Sequence, residues 1–104
     1  MSMVHVLAVI TTKPGMRSKV LEIFNANVPA VHAEDGCIEY GATIDHENAG
    51  DVQTKFGDDT FVVVEKWSSL DALKAHMTAP HMVAYGQKVK DLQAERKIYI
   101  MSNA

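Results

Sequence analysis

Four side chains suited to proton transfer and to holding a flat ligand fall within seventeen residues of the chain: Glu65, Trp67, His76 and His81. A histidine can bind and release a proton near neutral pH. Glu65 alternates with large apolar residues along a predicted strand face, where a carboxylate must be paired or its pKa rises. The cluster predicts either a pocket acid or base, or a strand-end glutamate bonded to the nearby helices.

The histidines and the tryptophan each have a structural interpretation beside the functional one. A lone histidine is usually exposed or structural, and Trp67 is more often a core residue than a surface on which a ligand stacks. His76 ends one predicted helix and His81 begins the next, so we expect both at the same opening. Two histidines, a glutamate and a tryptophan so close together favour a site.

Familiar cofactor and metal motifs are absent from the sequence. It has no glycine-rich nucleotide-binding loop, no H-E-x-x-H and no C-x-x-C. His76 and His81 would lie about 140° apart around a helix, with Pro80 between them, so we predict no metal site. Cys37 is the single cysteine, and we interpret it as a small strand residue rather than a nucleophile.

Hydrophobic periodicity and turn residues divide the chain into seven elements. Apolar residues at steps of three and four predict a long first helix, and T-F-V-V-V-E-K-W is the strongest strand pattern. The predicted strands cover residues 3–11, 37–45, 60–67 and 97–102, and the predicted helices cover 17–32, 70–77 and 80 to about 92, with a long hairpin loop over 46–59. This order, β-α-β-β-α(α)-β, predicts an α+β fold of the ferredoxin-like type.

One layer of helices can cover only one face of such a sheet. The other face carries apolar residues such as Val62 and Val64, which something must cover. A second copy of the chain is the simplest cover, so we predict a symmetric homodimer with the two sheets face to face.

Length and charge exclude several classes of protein. A chain of 104 residues has room for one domain, which we predict over residues 1–104. The net charge is −3 and the only arginines are Arg17 and Arg96, which argues against nucleic acid as a partner. We expect no membrane segment, because no apolar run approaches the length of a membrane helix, and no cleaved leader. A single cysteine fits a reducing cytoplasm.

The motifs together resemble the antibiotic biosynthesis monooxygenase family. The matching features are the strand over residues 36–44, F-V-V-V-E-K-W, a nine-residue step from Trp67 to His76, and A-P-H-M. The resemblance is strongest to the small bacterial quinol monooxygenases. It implies that two ferredoxin-like domains pair as a dimeric α+β barrel. Other members of the family degrade haem, or isomerise a phosphorylated breakdown product of a signalling molecule.

Two departures from the family pattern bear on function. Haem-degrading relatives have a tryptophan where His76 stands and a haem-ligating histidine about ten residues later, near Gly86 here. They also use a first-strand asparagine that this chain lacks, so we expect no haem and no other cofactor. The loop over residues 46–59 is longer than the turn in relatives, so it could reshape the mouth of the pocket.

The leading hypothesis is a cofactor-independent monooxygenase that oxidises a quinol or another polyphenolic aromatic substrate with O2. Such a substrate supplies its own electrons once a base removes a phenolic proton. His76 is the candidate base or proton relay, and Glu65 would orient it or stabilise its charge. The candidate substrate-binding residues are His81 and Tyr40 as hydrogen-bond partners, and Trp67, Met82, Phe61 and Phe24 as apolar walls that exclude water.

Two alternatives remain open from the sequence. The first is an isomerase of a small phosphorylated dione, which would use the same base but would need cationic residues at the pocket. The second is a non-catalytic dimeric module that binds a small molecule. A sealed core with Glu65 paired to Lys66 or Arg96 would favour the binding module. An open, apolar pocket lined by His76 and Glu65 would favour catalysis.

Overall fold

The computed structural model describes residues 2–104, so Met1, which the predicted domain includes, lies outside the described part. Seven elements follow one another along the chain: β1 (Val4–Thr12), α1 (Arg17–His32), β2 (Cys37–Thr43), β3 (Thr60–Trp67), α2 (Leu70–Met77), α3 (Pro80–Val89) and β4 (Gln93–Ser102). The four strands form one antiparallel sheet in the order β2-β3-β1-β4. The predicted ferredoxin-like α+β fold is confirmed.

The ends of four elements differ from the prediction, those of β1 by one residue each. β4 begins at Gln93, four residues before the predicted start, because the polar segment Q-A-E-R continues the pairing with β1 as far as Thr12. Backbone hydrogen bonds hold these residues in the strand although their side chains give no apolar signal. β2 ends at Thr43 rather than at residue 45, and α3 ends at Val89 rather than near residue 92.

The core lies between the helices and one face of the sheet. Alternate residues of β1 point into it, and they are opposite alternate residues of β3 in an unbroken antiparallel register. Val20, Phe24 and Val31 form the buried stripe of α1. Ser69 caps α2, since its hydroxyl accepts a hydrogen bond from the Ala72 amide at 3.1 Å. Among residues 2–104, no helix is both long and apolar enough to cross a membrane.

A bulge in β2 changes which of its residues share a face. Strict alternation along the sequence C-I-E-Y-G-A predicts Ile38 on the same face as Tyr40 and Ala42. In the structure Cys37 is opposite Trp67 and Glu39 is opposite Lys66, so β2 advances two residues while β3 advances one. Ile38 is the extra residue and is 55% exposed, whereas Tyr40 is buried against the helices.

The face of the sheet away from the helices is mostly uncovered among the described residues, although Val62 on this face is only 8% exposed and lies beside Ile44 and Phe56 of the β2–β3 connection. Val64 and Leu7 are directly opposite each other on this face, and Tyr99 of β4 is opposite Leu7 on its other side. Leu7 and Tyr99 are exposed. The prediction that apolar residues occupy this face is therefore correct for the isolated chain.

The long connection from β2 to β3 is held by its own polar side chains. The Asp45 carboxylate accepts hydrogen bonds from the backbone amides of Phe56 at 3.0 Å and Gly57 at 2.9 Å. These backbone hydrogen bonds lower the pKa of Asp45. The Gln53 amide group bonds to the His46 carbonyl at 2.8 Å. One carboxylate thus ties the two ends of the loop together.

We predict that Asp45→Asn speeds amide hydrogen exchange at Phe56 and Gly57, because an amide side chain offers one acceptor where the carboxylate offers two. The lowered pKa means that protection in the natural protein persists as pH falls through the ordinary aspartate range and is lost only below it. Exchange measured by NMR tests this. The exposed Asp51→Asn should leave both amides unchanged; equal exchange in all three proteins would contradict the assignment.

Candidate active site

A cavity of about 350 Å³ lies between the helices and the sheet. The helix-facing residues of β1 and β3 form its floor, all three helices contribute to its walls, and β4 borders one side. Most of the side chains that line the cavity are apolar. The lining residues that are exposed to solvent lie on α2, on α3 and at Lys90 directly after it, and on β4. The cavity therefore opens to solvent along the helices and β4. Its size and lining are typical of small-molecule sites.

Glu65 lines the floor of this cavity and is on β3, one of the two central strands of the sheet. It is opposite Val6 of β1 and Tyr40 of β2, and its side chain is buried among apolar neighbours. The Trp67 indole Nε1–H donates a hydrogen bond to Glu65 Oε1 at 2.9 Å. Burial raises the pKa of Glu65 and outweighs the opposing effect of this hydrogen bond. The carboxyl group therefore keeps its proton to a higher pH than an exposed glutamate does.

His76 contacts the carboxylate of Glu34, which lies in the turn between α1 and β2. Its Nδ1 lies 2.9 Å and 3.2 Å from the two carboxylate oxygens of Glu34. His81 Nε2 lies 2.6 Å from Glu34 Oε2. The Glu34 side chain is only 13% exposed, so the contact is largely shielded from water. Glu34 thus joins the end of α2 to the start of α3.

This contact fixes which nitrogen of His76 is available. An ionised carboxylate only accepts hydrogen bonds, so Nδ1 of His76 carries the hydrogen and Nε2 has the free lone pair in the neutral ring. Nε2 has no hydrogen-bond partner among residues 2–104. Over the same residues no fully buried side-chain nitrogen or oxygen lacks a partner, so Nε2 is not completely buried. His76 lines the cavity, and Nε2 is the ring nitrogen left available to act as a base there.

Aromatic rings surround this base. The ring centroid of Trp67 is 4.6 Å from that of His76, and the Tyr40 ring meets the imidazole edge-on at 5.3 Å. Tyr40 stacks on Phe24 at 5.3 Å. Burial is the main cause that raises the pKa of Tyr40. The phenol therefore stays neutral and can donate a hydrogen bond. Burial also raises the pKa of Tyr85, farther along the wall, to about 12.

The predicted site residues divide into two groups by position. Those that line the cavity are Phe24, Tyr40, Glu65, His76 and Met82. Phe61, Trp67 and His81 are not part of the lining. Trp67 is fully buried beneath it with its indole on Glu65, and Phe61 is fully buried 5.8 Å from the Phe24 ring. His81 is beside the cavity, where it binds Glu34.

One predicted contact is replaced by another. Glu65 was predicted to orient His76 or to stabilise its charge. No hydrogen bond joins the two side chains, and Glu34 makes the orienting contact instead. The reason is the turn after α1, where Gly36 has φ +83° and packs directly on α2. The Ser68 amide also donates to the Gly36 carbonyl at 2.8 Å. In the sequence, Gly36 after Glu34 indicates a tight turn, but it does not indicate that Glu34 contacts His76.

No metal-binding arrangement is evident in residues 2–104. Within them, no group of three or more histidine, cysteine, aspartate or glutamate side chains could hold a metal ion. His76 and His81 each direct a nitrogen towards Glu34.

Comparison with known proteins assigns the chain to a family. The model of the antibiotic biosynthesis monooxygenase family matches residues 3–88. The chain belongs to the antibiotic biosynthesis monooxygenase family. It is 39% identical over 101 residues to "Probable quinol monooxygenase YgiN" of Escherichia coli K12, which covers 95% of this chain and 96% of that protein. The protein of the same name from Shigella flexneri is equally similar.

Solved structures share the fold over nearly the whole chain. PA3566 from Pseudomonas aeruginosa superposes with a TM-score of 0.81 at 22% identity, covering 100% of this chain and 96% of its own. Rv0793 from Mycobacterium tuberculosis has a TM-score of 0.80 at 24% identity, covering 99% and 96%. At these identities the similarity concerns the architecture alone.

We predict that Glu34 selects the neutral tautomer of His76. In the natural protein, ¹⁵N NMR of labelled histidine should show the hydrogen on Nδ1, because the carboxylate accepts only. In Glu34→Gln the carboxamide can donate or accept, so a mixture of tautomers is expected. The exposed Glu39→Gln is the matched control and should leave the His76 signals unchanged. Hydrogen on Nε2 in the natural protein would refute the assignment.

Proposed function

We propose that the protein is a cofactor-independent monooxygenase that oxidises a quinol or related polyphenol with O2. The main support is the free Nε2 of His76, held by Glu34 and open to a largely apolar cavity. The similarity to a protein named as a quinol monooxygenase supports the same class of substrate. Each subunit would act as one domain over the whole chain.

In the first step His76 Nε2 takes a phenolic proton from the bound quinol. Glu34 stabilises the resulting imidazolium, since its carboxylate already accepts from Nδ1. The electron-rich anion then reduces O2. One oxygen atom ends in the hydroxylated quinone and the other in water, and the quinol supplies all four electrons. The protein therefore needs to bind, orient and deprotonate the substrate.

Glu65 and Tyr40 would stabilise the substrate oxygens. Because its pKa is raised, Glu65 can present a hydrogen-bond donor from Oε2 while Oε1 accepts from Trp67. The neutral Tyr40 phenol is a second donor on the same side of the cavity. Donors aimed at an oxygen that gains negative charge lower the barrier for deprotonation. The apolar lining limits the water that could compete for these groups.

The position of Glu65 also supports catalysis over a sealed binding module. Neither Lys66 nor Arg96 pairs with it among the described residues, and Lys66 instead lies 3.2 Å from Glu39. The carboxyl group is at an open cavity that His76 shares.

One observation supports the phosphorylated-dione isomerase as a second candidate. Lys90 and Arg96 both line the cavity, so cationic groups are available for a phosphate. The same base, His76, would form the enol. The two candidates differ in oxygen use, because an isomerisation consumes none.

We predict O2 uptake above the autoxidation rate when the purified protein meets naphthohydroquinones, with a chelator present and no cofactor added. His76→Ala should lower kcat/KM about a hundredfold to ten-thousandfold, as loss of a general base does. Glu65→Gln should cost much less, because the carboxamide keeps both a donor and the acceptor for Trp67. An oxygen electrode gives these rates.

The exposed His46→Ala is the control and should match the natural protein. Uptake no faster than the blank across neutral quinols would reject the monooxygenase. A larger loss in Glu65→Gln than in His76→Ala would instead make Glu65 the base.

We also propose a homodimer in which the uncovered sheet faces meet. The support is the exposed apolar surface around Leu7 and Tyr99, which water would otherwise contact. Light scattering after size exclusion should give twice the 11.4 kDa of one chain. Val64→Lys, on this face, should shift the mass towards the monomer, whereas Val83→Lys on the exposed surface of α3 should not. A monomeric natural protein would refute the dimer.

A further inference from the structure

The cavity has a cationic side that the proposed oxidation of a quinol does not use. Lys90 follows α3 directly and Arg96 is on β4, and both belong to the lining together with the polar Gln93. Both cations are exposed, so they are at the solvent side of the cavity. Neither forms an ion pair among residues 2–104.

The strand register separates these cations from the proton-transfer groups. Arg96 is opposite Ile10 on β1, whereas Glu65 is opposite Val6, four residues away along the same strand. Four residues span about 14 Å, and β1 lies between the two strands, which adds about 10 Å across the sheet. The Cα atoms are therefore roughly 17 Å apart. Both residues line the cavity from the same face of the sheet, and this separation leaves room for a bicyclic aromatic between them.

The charge distribution favours an anionic group at the end of the cavity that Lys90 and Arg96 line. The protein as a whole has a net charge of −3, which repels anions, yet the cavity lining contains two cations and only one acid, Glu65. That acid is buried at the other end. Arginine binds a carboxylate or phosphate through a planar pair of donors, and an unpaired arginine is ready to do so.

We propose that the natural ligand is a hydroxylated bicyclic aromatic with an anionic group at the end remote from its hydroxyl. Arg96 and Lys90 bind the anionic group, while the hydroxyl meets His76 and Glu65. This substrate class rests on the proposed function for the role of the hydroxyl, but the anion site stands on the cavity alone. The orientation places the reactive ring at the base and the charged group near solvent.

Binding of ligands that cannot be oxidised as quinols tests the anion site. The probe is 6-hydroxy-2-naphthoic acid. Its methyl ester is the uncharged control, since it has nearly the same shape but no carboxylate. Isothermal titration should show the acid binding the natural protein about tenfold more tightly than the ester, the ratio that one charge-assisted contact gives. Arg96→Gln and Lys90→Gln should each reduce this ratio several-fold while leaving ester affinity unchanged.

Lys88→Gln removes the same charge from an exposed position on α3 outside the lining, and the ratio should stay at its natural value. A ratio near one in the natural protein, no saturable binding of the acid at millimolar concentration, or an equal loss in Lys88→Gln would overturn the proposal. Unchanged ester affinity shows that each variant is folded. Comparing 2-naphthyl phosphate with 2-naphthoic acid then tells a phosphate from a carboxylate site.

The outcome is separable from that of the oxygen assay. A protein that oxidises neutral quinols but shows no acid preference refutes the anion site alone. A protein that prefers the acid but consumes no oxygen refutes the monooxygenase alone.

Discussion

Burial of the Glu65 carboxyl group is the constraint on which the rest of the site depends. A carboxyl group on an apolar sheet face is costly unless both oxygens find partners or open space. The Trp67 indole satisfies one oxygen, and this requires the tryptophan to be beneath the cavity rather than in its wall. The second oxygen needs room, which the cavity provides. Closing the helices onto the sheet would leave that oxygen without a partner, so the carboxyl group and the open space depend on each other.

The Glu34 carboxylate has a comparable effect on the helices. It follows α1, binds His76 in the last turn of α2 and binds His81 in the first turn of α3. The Glu34 side chain therefore helps to fix the positions of α1, α2 and α3 relative to one another. The same contact with Glu34 fixes both the tautomer of His76 and the orientation of its ring, so the base is held rigidly.

The sequence predicted the features that depend on local periodicity and missed those that depend on contacts distant in the chain. Helix α1 and strand β3 were correct to the residue because their apolar patterns are regular. The start of β4 was missed, since pairing with β1 holds a polar segment there. In the site, His76 and Glu65 stood out as titratable groups in unusual positions. Glu34 did not, because it is 42 residues from His76 and only the fold brings them together.

Gly36 shows how strictly a residue without a side chain can be required. A Cβ atom at this position would lie 2.6 Å from both the Ala72 Cβ and the Ser68 Oγ, and the backbone φ of +83° already disfavours any other residue. Relief of that overlap would push the turn away from α2 and carry Glu34 with it. The tolerance of the site to sequence change is therefore set partly by a position that touches neither ligand nor proton. A search for functional positions by side-chain chemistry alone would pass over it.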